Sequence, residues 1–398
     1  MKYLVILGDG MADRPIESLG GRTPLEYAKT PKMDELAAKG EIGMVHTIPD
    51  GMKPGSDTAN LSVLGYNPRE FYSGRSPLEA LSIGVPMKDT DVALRCNIVT
   101  LSEEEDNYED RTIIDHSSGE ISTEECAVLL EAVKKELETD IFHFYVGTSY
   151  RHCLIWENGE VVDLVQPHDV LGQKIGDKLP ENEALRTMMK KSYDILVNHP
   201  INIERKKKGL NPANSCWFWG AGTKPALYPF TERTHKKGAM ISAVDLLKGI
   251  AVGTSMKVIT VDGANGGLDT NYEGKAKAAL DVLTRDGYDF VYVHLEGSDE
   301  MGHQGSVEKK VKAIERLDER IIRPIAEGLA AVSYTHRQER ISAWWCFRII
   351  RHRFPCAHTR RTMCRICSMT ARQSAVRAGI TMSARRRRQP TLYRKDIS

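Results

Sequence analysis

Short apolar runs alternate with helical patterns at both ends of the first 330 residues, and this alternation constrains the fold most strongly. The run Tyr3–Leu7 ends in the turn sequence GDG, as a buried parallel strand does. Near residue 236 the same rhythm returns and continues through the run Phe290–Leu295. Strands separated by helices build a mostly parallel sheet with helices on both faces. The sequence therefore predicts an α/β fold with a doubly wound sheet.

The middle of the chain, from about residue 89 to 235, has strand-like runs with acidic helices between them. We therefore predict a discontinuous domain of residues 1–88 and 236–330, interrupted by a smaller inserted α/β domain of residues 89–235. The predicted strands are Tyr3–Leu7, Val92–Thr100, Phe142–Val146, His152–Trp156, Lys257–Val261 and Phe290–Leu295. The predicted helices are Pro31–Lys39, Asp57–Leu64, Pro77–Ile83, Thr123–Leu137, Ile241–Ile250, Lys275–Thr284 and Val307–Leu329.

The formal net charge of +1 is the sum of two unlike pieces. Residues 331–398 contain 15 Arg and one Lys against Glu339 and Asp396, which leaves 39 basic and 52 acidic groups in the first 330 residues. A chain of 398 residues that is 41% hydrophobic is neither a disulfide-stapled mini-protein nor wholly disordered. The acidic body suits an enzyme, whereas the basic tail admits a nucleic-acid partner.

Cysteine spacing and hydropathy predict the compartment. The body cysteines are too scattered for a disulfide framework, which favours a reduced, cytoplasmic protein. No stretch of 18 uncharged apolar residues occurs, so we expect no membrane partner.

Acidic residues follow two of the predicted parallel strands. Asp9 comes after the first strand, and Glu296, Asp299 and His303 come after the run Phe290–Leu295. Ligand sites in open α/β sheets lie at the carboxyl ends of the strands. A carboxylate and an imidazole four residues apart suit Mn²⁺, Zn²⁺ or Fe²⁺. The alternative interpretation is that Asp299 caps a turn and His303 is a surface histidine.

The segment PGSDTANL places Ser56 where a helix is predicted to begin. Helix N-termini present unpaired N–H groups and a positive dipole end, which suit a phosphoryl group. A serine at such a position can act as a nucleophile. An ordinary helix cap would have the same sequence.

Four cations in or beside the predicted inserted domain are candidates for binding a small anion: Arg95, Arg151, His152 and Lys237. Arginine favours bidentate binding of phosphate or carboxylate. Each of the four could equally be a solvated surface residue.

Taken together, these pieces resemble the archaeal-type cofactor-independent phosphoglycerate mutases of the alkaline phosphatase superfamily. The resemblance covers about residues 1–330, with its segments in the order of the family. It rests on LVILGDGMADRP at 4–15, GSDTANLSVLGYNP at 55–68, YSGRSPLEALSIGV at 72–85, ALRCN at 93–97, YRHCLIW at 150–156, GAMISAVDLLKGIAVG at 238–253 and VHLEGSDEMGHQG at 293–305.

The resemblance implies an alkaline-phosphatase-like fold and a small-molecule substrate, phosphoglycerate. Ser56 would take the phosphate of 3-phosphoglycerate and return it to the 2-hydroxyl, without added bisphosphoglycerate. Two divalent metal ions (Mn²⁺, Mg²⁺, Zn²⁺ or Co²⁺) are implied, one held by Asp9 and Ser56 and the other by Asp299 and His303. The four cations of the inserted domain would bind the substrate. A homo-oligomer is left open.

The tail departs from the family, which completes its metal sites with an Asp-His pair and a further His near the end of the chain. No Asp-His pair follows residue 330 here. Codons can be chosen for residues 348–369 so that the neighbouring frame reads PDHPTPIPLRTHAEDHVPYLLYD, which restores both features. We therefore predict a frameshift between about residues 330 and 340, and a chain that as written is poorly folded in its last quarter and inactive.

Two alternatives remain for function. Cys364 and Cys367 with His352 and His358 resemble half a zinc site, and Arg385–Arg388 resembles a nucleic-acid patch. These features support a basic arm that binds RNA or DNA. Within the superfamily, the alternative is a metal-dependent phosphatase or phosphonate-processing enzyme with the same nucleophile.

Overall fold

The structure is a computed structural model that describes residues 1–335, 345–351 and 364–368, with side chains described as far as residue 331. Twelve strands occur in these ranges. They are β1 Tyr3–Ala12, β2 Glu41–Val45, β3 Val92–Leu101, β4 Ile113–Asp115, β5 Phe142–Thr148, β6 Arg151–Trp156, β7 Ser215–Thr223, β8 Gly238–Ile241, β9 Lys257–Val258, β10 Phe290–Leu295, β11 Trp345–Arg351 and β12 Cys364–Ser368.

Fourteen α-helices lie in the same ranges, and a π-helical turn at Asp318–Ile322 joins the last two. They are α1 Pro24–Tyr27, α2 Pro31–Lys39, α3 Ser56–Leu64, α4 Pro68–Phe71, α5 Arg75–Ser82, α6 Thr123–Leu137, α7 Glu183–Leu196, α8 Pro200–Lys207, α9 Phe230–Thr234, α10 Asp245–Gly253, α11 Tyr272–Thr284, α12 Gly297–His303, α13 Val307–Leu317 and α14 Arg323–Thr335. Among the described residues, no helix combines the length and the hydropathy that a membrane span needs.

A five-stranded sheet in the order β11-β1-β10-β8-β9 is the centre of the fold, and all its neighbouring strands are parallel. Alternate side chains of its strands enter two different cores. Ile6 and Val293 pack with helices α11 and α13 on one face, whereas Leu7 and Tyr292 pack with α3 and α10 on the other. Because both faces are covered by helices, the predicted α/β class with a doubly wound sheet is confirmed.

A second sheet lies in the middle of the chain and is antiparallel, with β3 at its centre between β6 and β7. All ten residues of β3 are buried. One face of this sheet forms a separate core with helices α6 and α7. The exact domain boundaries stay a prediction.

Most predicted strands and helices lie close to their predicted positions, but the predicted start of one helix is wrong. The predicted helix Ile241–Ile250 includes the end of strand β8, and the helix itself, α10, begins only at Asp245. The segment GAMI is a short buried strand of the central sheet. Its four apolar residues are too few to distinguish a buried strand from the first turn of a helix.

Two strands come from the basic tail. β11 pairs with β1 in parallel, from Leu4 opposite Trp345 to Ala12 opposite Arg351, and β12 pairs with β2 antiparallel. The run WCFRIIR of β11 is rich in residues that favour strands, which suits it to the edge of the central sheet. The other tail features predicted from sequence, His352, His358 and Arg385–Arg388, lie outside the described residues, as do residues 336–340 of the predicted frameshift region.

Candidate active site

The carboxyl ends of β1 and β10 lie side by side and bring the predicted acidic residues together. Gly8 pairs with Leu295, so the next residues, Asp9 and Glu296, are neighbours at one edge of the sheet. Asp9 is fully buried, and its Oδ1 accepts a hydrogen bond of 3.0 Å from the backbone N–H of Gly10. A buried carboxylate at this edge is favourably placed to bind a cationic ligand.

Helix α12 follows β10 directly and carries the second pair of predicted ligands. Asp299 is buried while His303 is exposed, and Asp299 Oδ2 lies 3.4 Å from His303 Nε2. The hydrogen bond to Asp299 raises the pKa of His303. The four-residue spacing thus places a carboxylate and an imidazole together on one helix turn, as the sequence predicted.

We call the edge of the central sheet that carries Asp9, Glu296, Asp299 and His303 the acidic edge. A close contact joins the segment of Asp9 to that of Asp299. The hydroxyl of Ser298 donates to the carbonyl of Asp9. Gly10 has φ +68°, and a Cβ atom on it would lie 2.3 Å from Asp299 Cα. Glycine at position 10 therefore lets β1 approach α12 closely enough to place Asp9 beside Asp299.

Sequence reasoning missed His294, although the alternation of a strand gives a signal for it. His294 lies two residues before Glu296 on β10 and is 1% exposed. Its Nε2 lies 3.6 Å from Asp9 Oδ2, and its Nδ1 lies 3.3 Å from the hydroxyl of Ser242 at the end of β8. Three neighbouring parallel strands thus contribute polar groups to one edge.

Lys275 was also missed, since it lies near the start of a helix and reads as a surface lysine. It is 1% exposed, and its Nζ donates a hydrogen bond of 3.3 Å to the carbonyl of His294. Burial lowers the pKa of Lys275 to about 8, although nearby Glu296 opposes that shift. Burial also raises the pKa of Glu296, and the carboxylates of Asp9 and Asp299 raise it further.

Ser56 is the first residue of α3 and is half-buried. Asn60 Nδ2 donates a hydrogen bond of 2.7 Å to the Ser56 carbonyl, and Tyr292 of β10 donates to Asn60 Oδ1. Asp57 beside it accepts a hydrogen bond of 2.8 Å from the Tyr72 hydroxyl. The first turn of α3 is thereby fixed against the central sheet, with its free N–H groups at the serine.

The structure brings Arg95 and Arg151 to one face of the second sheet. Arg95 lies on β3, and Arg151 lies on β6 opposite Asn97. Because alternate residues of a strand share a face, Arg95, Asn97 and Arg151 point to the same side. The Arg95 guanidinium stacks 4.9 Å from the ring centroid of Trp219. Burial lowers its pKa to about 10.

The other two predicted cations are not brought to this face. His152 points into the opposite core, where its Nδ1 accepts from the backbone N–H of Gly147 at 3.1 Å and its Nε2 lies 3.1 Å from Cys126 Sγ. Lys237 precedes β8, and its backbone N–H donates a hydrogen bond to the Asp289 carboxylate at the amino ends of the strands. That end lies a strand length, about 20 Å, from the acidic edge. The structure thus separates these two residues from the face that carries Arg95 and Arg151, and their role in substrate binding stays a prediction.

The acidic edge offers the types of donor atom that suit a divalent ion, but too few of them lie close together among the described residues. Asp9, Asp299 and His303 offer carboxylate oxygens and an imidazole nitrogen, which suit such ions. Within the described ranges, however, no three side chains of His, Cys, Asp or Glu gather closely enough to hold a metal.

Comparison with known proteins identifies the family. The sequence model of the 2,3-bisphosphoglycerate-independent phosphoglycerate mutases matches residues 37–202. A protein of that name from Methanosarcina barkeri is 52% identical over 331 residues, which cover 82% of this chain and 81% of the relative. The chain belongs to this phosphoglycerate mutase family.

Relatives outside the archaea and solved structures agree with this membership. A probable 2,3-bisphosphoglycerate-independent phosphoglycerate mutase from Geobacter sulfurreducens is 48% identical and covers 83% of this chain and 82% of its own length. The structure of a cofactor-independent phosphoglycerate mutase from Thermoplasma acidophilum is 27% identical with a TM-score of 0.58, covering 93% of this chain and 90% of that one. The structure of the PH0037 protein from Pyrococcus horikoshii is 32% identical with a TM-score of 0.71, covering 92% and 87%.

Proposed function

We propose that the chain is an isomerase that interconverts 3-phosphoglycerate and 2-phosphoglycerate without added bisphosphoglycerate. The observation that supports this most is the position of Ser56, at the start of a helix that is bonded through Asn60 to Tyr292 of the central sheet. We infer the substrate from membership of the mutase family. The acidic edge suits bound cations, and the guanidinium groups of Arg95 and Arg151 suit the anionic groups of the substrate. A cytoplasmic location and a homo-oligomeric assembly stay predictions.

The proposed chemistry consists of two phosphoryl transfers. The Ser56 oxygen attacks phosphorus, the bond from phosphorus to the 3-oxygen breaks, and the proton lost by Ser56 ends on the departing 3-hydroxyl. The glycerate then reorients, its 2-hydroxyl takes the phosphoryl group, and Ser56 regains a proton. Arg95 and Arg151 are the proposed partners of the anionic groups during this reorientation, because bidentate guanidinium contacts fix both charge and direction.

Two divalent ions remain part of the proposal, with Asp9 and Ser56 holding one and Asp299 and His303 the other. Such ions neutralise phosphoryl oxygens and lower the pKa of a bound hydroxyl. The residues described do not complete either site, so a full set of donors needs side chains from elsewhere in the chain.

The test is the conversion of 3-phosphoglycerate by the chain whose reading frame is restored after residue 330, with Mn²⁺ and no bisphosphoglycerate. We expect 2-phosphoglycerate as the product, and we expect Ser56→Ala to abolish its formation, because Ser56 is the proposed carrier of the phosphoryl group. Ser62→Ala, on the same helix, is the control and should remain active. Release of free phosphate instead would favour the phosphatase alternative, and full activity in Ser56→Ala would exclude the proposed nucleophile.

A further inference from the structure

Arg75, which none of the site predictions includes, lies where the helix that follows the nucleophile segment meets the second sheet. It is the first residue of α5. The residue before it, Gly74, has φ +130° and packs at 3.1 Å from Gly222 of β7, measured from an added Cβ. The Ser73 hydroxyl donates a hydrogen bond of 2.5 Å to the carbonyl of Thr223. These contacts fix the start of α5, and therefore the origin of the Arg75 side chain, against the second sheet.

Arg75 shares one carboxylate with Arg95. Glu79 Oε1 accepts from Arg75 Nε at 2.8 Å and lies 3.1 Å from Arg95 Nη1. The Arg95 side chain is also close enough to Arg151 for the two positive charges to repel each other. Two guanidinium groups therefore contact one carboxylate, with that of Arg151 near Arg95, and such a cluster of positive charge favours an added anion.

The Arg95 side chain gives an independent sign that an acceptor belongs in this cluster. Arg95 is 6% exposed, yet its Nε has no hydrogen-bond partner in the described part of the chain. A buried guanidinium N–H without an acceptor costs free energy, so such groups are normally satisfied by protein, water or ligand. An anion bound beside Glu79 would supply the acceptor.

Arg75 also faces the acidic edge of the central sheet. Although burial lowers the pKa of Arg75, Glu79 and then Asp57 and Glu296 outweigh that effect and raise it. Asp57 follows the nucleophile Ser56, and Glu296 follows β10. The Arg75 side chain remains 44% exposed despite these neighbours. Arg75 is therefore exposed and lies between Asp57, the neighbour of Ser56, and Glu79, which Arg95 also contacts.

We propose that Arg75 is a substrate-binding residue whose guanidinium holds the phosphoryl group of phosphoglycerate between Ser56 and Arg95. This inference rests on the proposed mutase function. Glu79 is the counter-ion that fixes the orientation of both arginines before substrate binds, since it contacts both of them. Of the three arginines, Arg75 is the one on the same side as the nucleophile helix, so it is assigned to the phosphoryl group and the other two to the rest of the substrate.

The experiment compares Arg75→Gln, Arg75→Lys and the unchanged protein, in the chain with the restored frame, by titration calorimetry and steady-state kinetics. We expect Arg75→Gln to weaken binding of 3-phosphoglycerate by roughly tenfold to a hundredfold and to raise KM, because a charge-assisted hydrogen bond is lost. Arg75→Lys should recover part of the affinity. Glycerate, which lacks the phosphoryl group, should bind the unchanged protein and Arg75→Gln equally.

Arg285→Gln is the matched control, because it removes another exposed arginine that pairs with an acidic residue four positions away, Asp281, at 3.0 Å. It should leave binding and KM unchanged. Equal affinity of Arg75→Gln and the unchanged protein for 3-phosphoglycerate would overturn the assignment of Arg75. Binding that depends on Arg75 in a protein without mutase activity would overturn the proposed function alone, and a protein that binds no 3-phosphoglycerate would overturn both.

Discussion

At the scale of single residues, the acidic edge depends on the small size of Gly10 and on the buried charge of Lys275. Asp9 and Asp299 belong to segments 290 residues apart in sequence, and the absence of a side chain at Gly10 lets them meet. Lys275 lies under the same edge, where a charged ammonium group is almost fully buried. Variants at Gly10 and Lys275 should therefore change the stability of the folded protein, each for a different physical reason.

Gly10→Ala should destabilise the protein and reduce activity. The left-handed backbone at this position costs a residue with a Cβ atom about 1 kcal/mol, and contact with Asp299 Cα adds to that cost. Gly20→Ala is the control, because Gly20 has nearly the same φ, +67°, but no atom within 4 Å of an added Cβ. Urea denaturation should show a larger loss for Gly10→Ala, and equal losses for the two variants would contradict the close contact.

Lys275 should make the free energy of unfolding rise with pH above about 8. Its pKa is about 8 in the folded protein and near 10.5 when unfolded, so the unfolded state binds more protons between these values. The cost of charging the buried group, of the order of 3 kcal/mol, is fully present below pH 8 and is relieved as pH rises. Lys275→Met should remove this rise in denaturation measured from pH 7 to 10, whereas Lys277→Met, exposed on the same helix, should keep it.

At the scale of secondary-structure elements, helices are attached to one another by side chains that satisfy their free ends. Asp318, in the π-helical turn, accepts from the backbone N–H groups of Met33 at 2.6 Å and Lys32 at 3.1 Å. It thereby caps α2 from a segment 285 residues away in sequence. Local capping signals were absent at Thr30, whose side chain makes no cap hydrogen bond.

Asp318→Ala should therefore lower the free energy of unfolding by about 1–3 kcal/mol, because it leaves two N–H groups at the start of α2 without their acceptor. Glu319→Ala, the next residue along the same turn, is the control and should change stability by less than about 0.5 kcal/mol. Thermal unfolding followed by circular dichroism provides the measurement. Similar losses in both variants would show that the cap contributes little.

At the scale of the whole molecule, the acidic body and the basic tail differ in how they fit the fold. The body supplies four of the five strands of the central sheet and every site residue described above. The tail supplies β11 at the edge of that sheet. A sheet can therefore accept a substitute strand, while ligand sets depend on individual side chains.

The chain as written should accordingly show no measurable mutase activity with Mn²⁺, whereas the chain with its frame restored after residue 330 should be active. The physical reason is that the described residues leave the proposed metal sites incomplete, and the tail as written lacks the Asp-His pair that the resemblance implies. Coupled-enzyme assays of both purified chains make the comparison. Activity in the chain as written would refute the prediction, and salt-dependent RNA or DNA binding that is lost on removal of residues 331–398 would favour the basic-arm alternative.

Six of the twelve described strands, several of the helices and the Asp299–His303 pair were predictable from the sequence, because strand periodicity, helix periodicity and a four-residue spacing are local properties. Tertiary structure decided which side chains meet across the sheet. The proximity of His294 to Asp9, the shared contact of Glu79 with Arg75 and Arg95, and the burial of Lys275 all join separate segments. It also directed His152 into a core, because one residue along a strand reverses the face to which a side chain points. The sequence alone predicted many of the strands and helices and the types of side chain at the site. The packing of the tertiary structure decided which of those side chains lie close together.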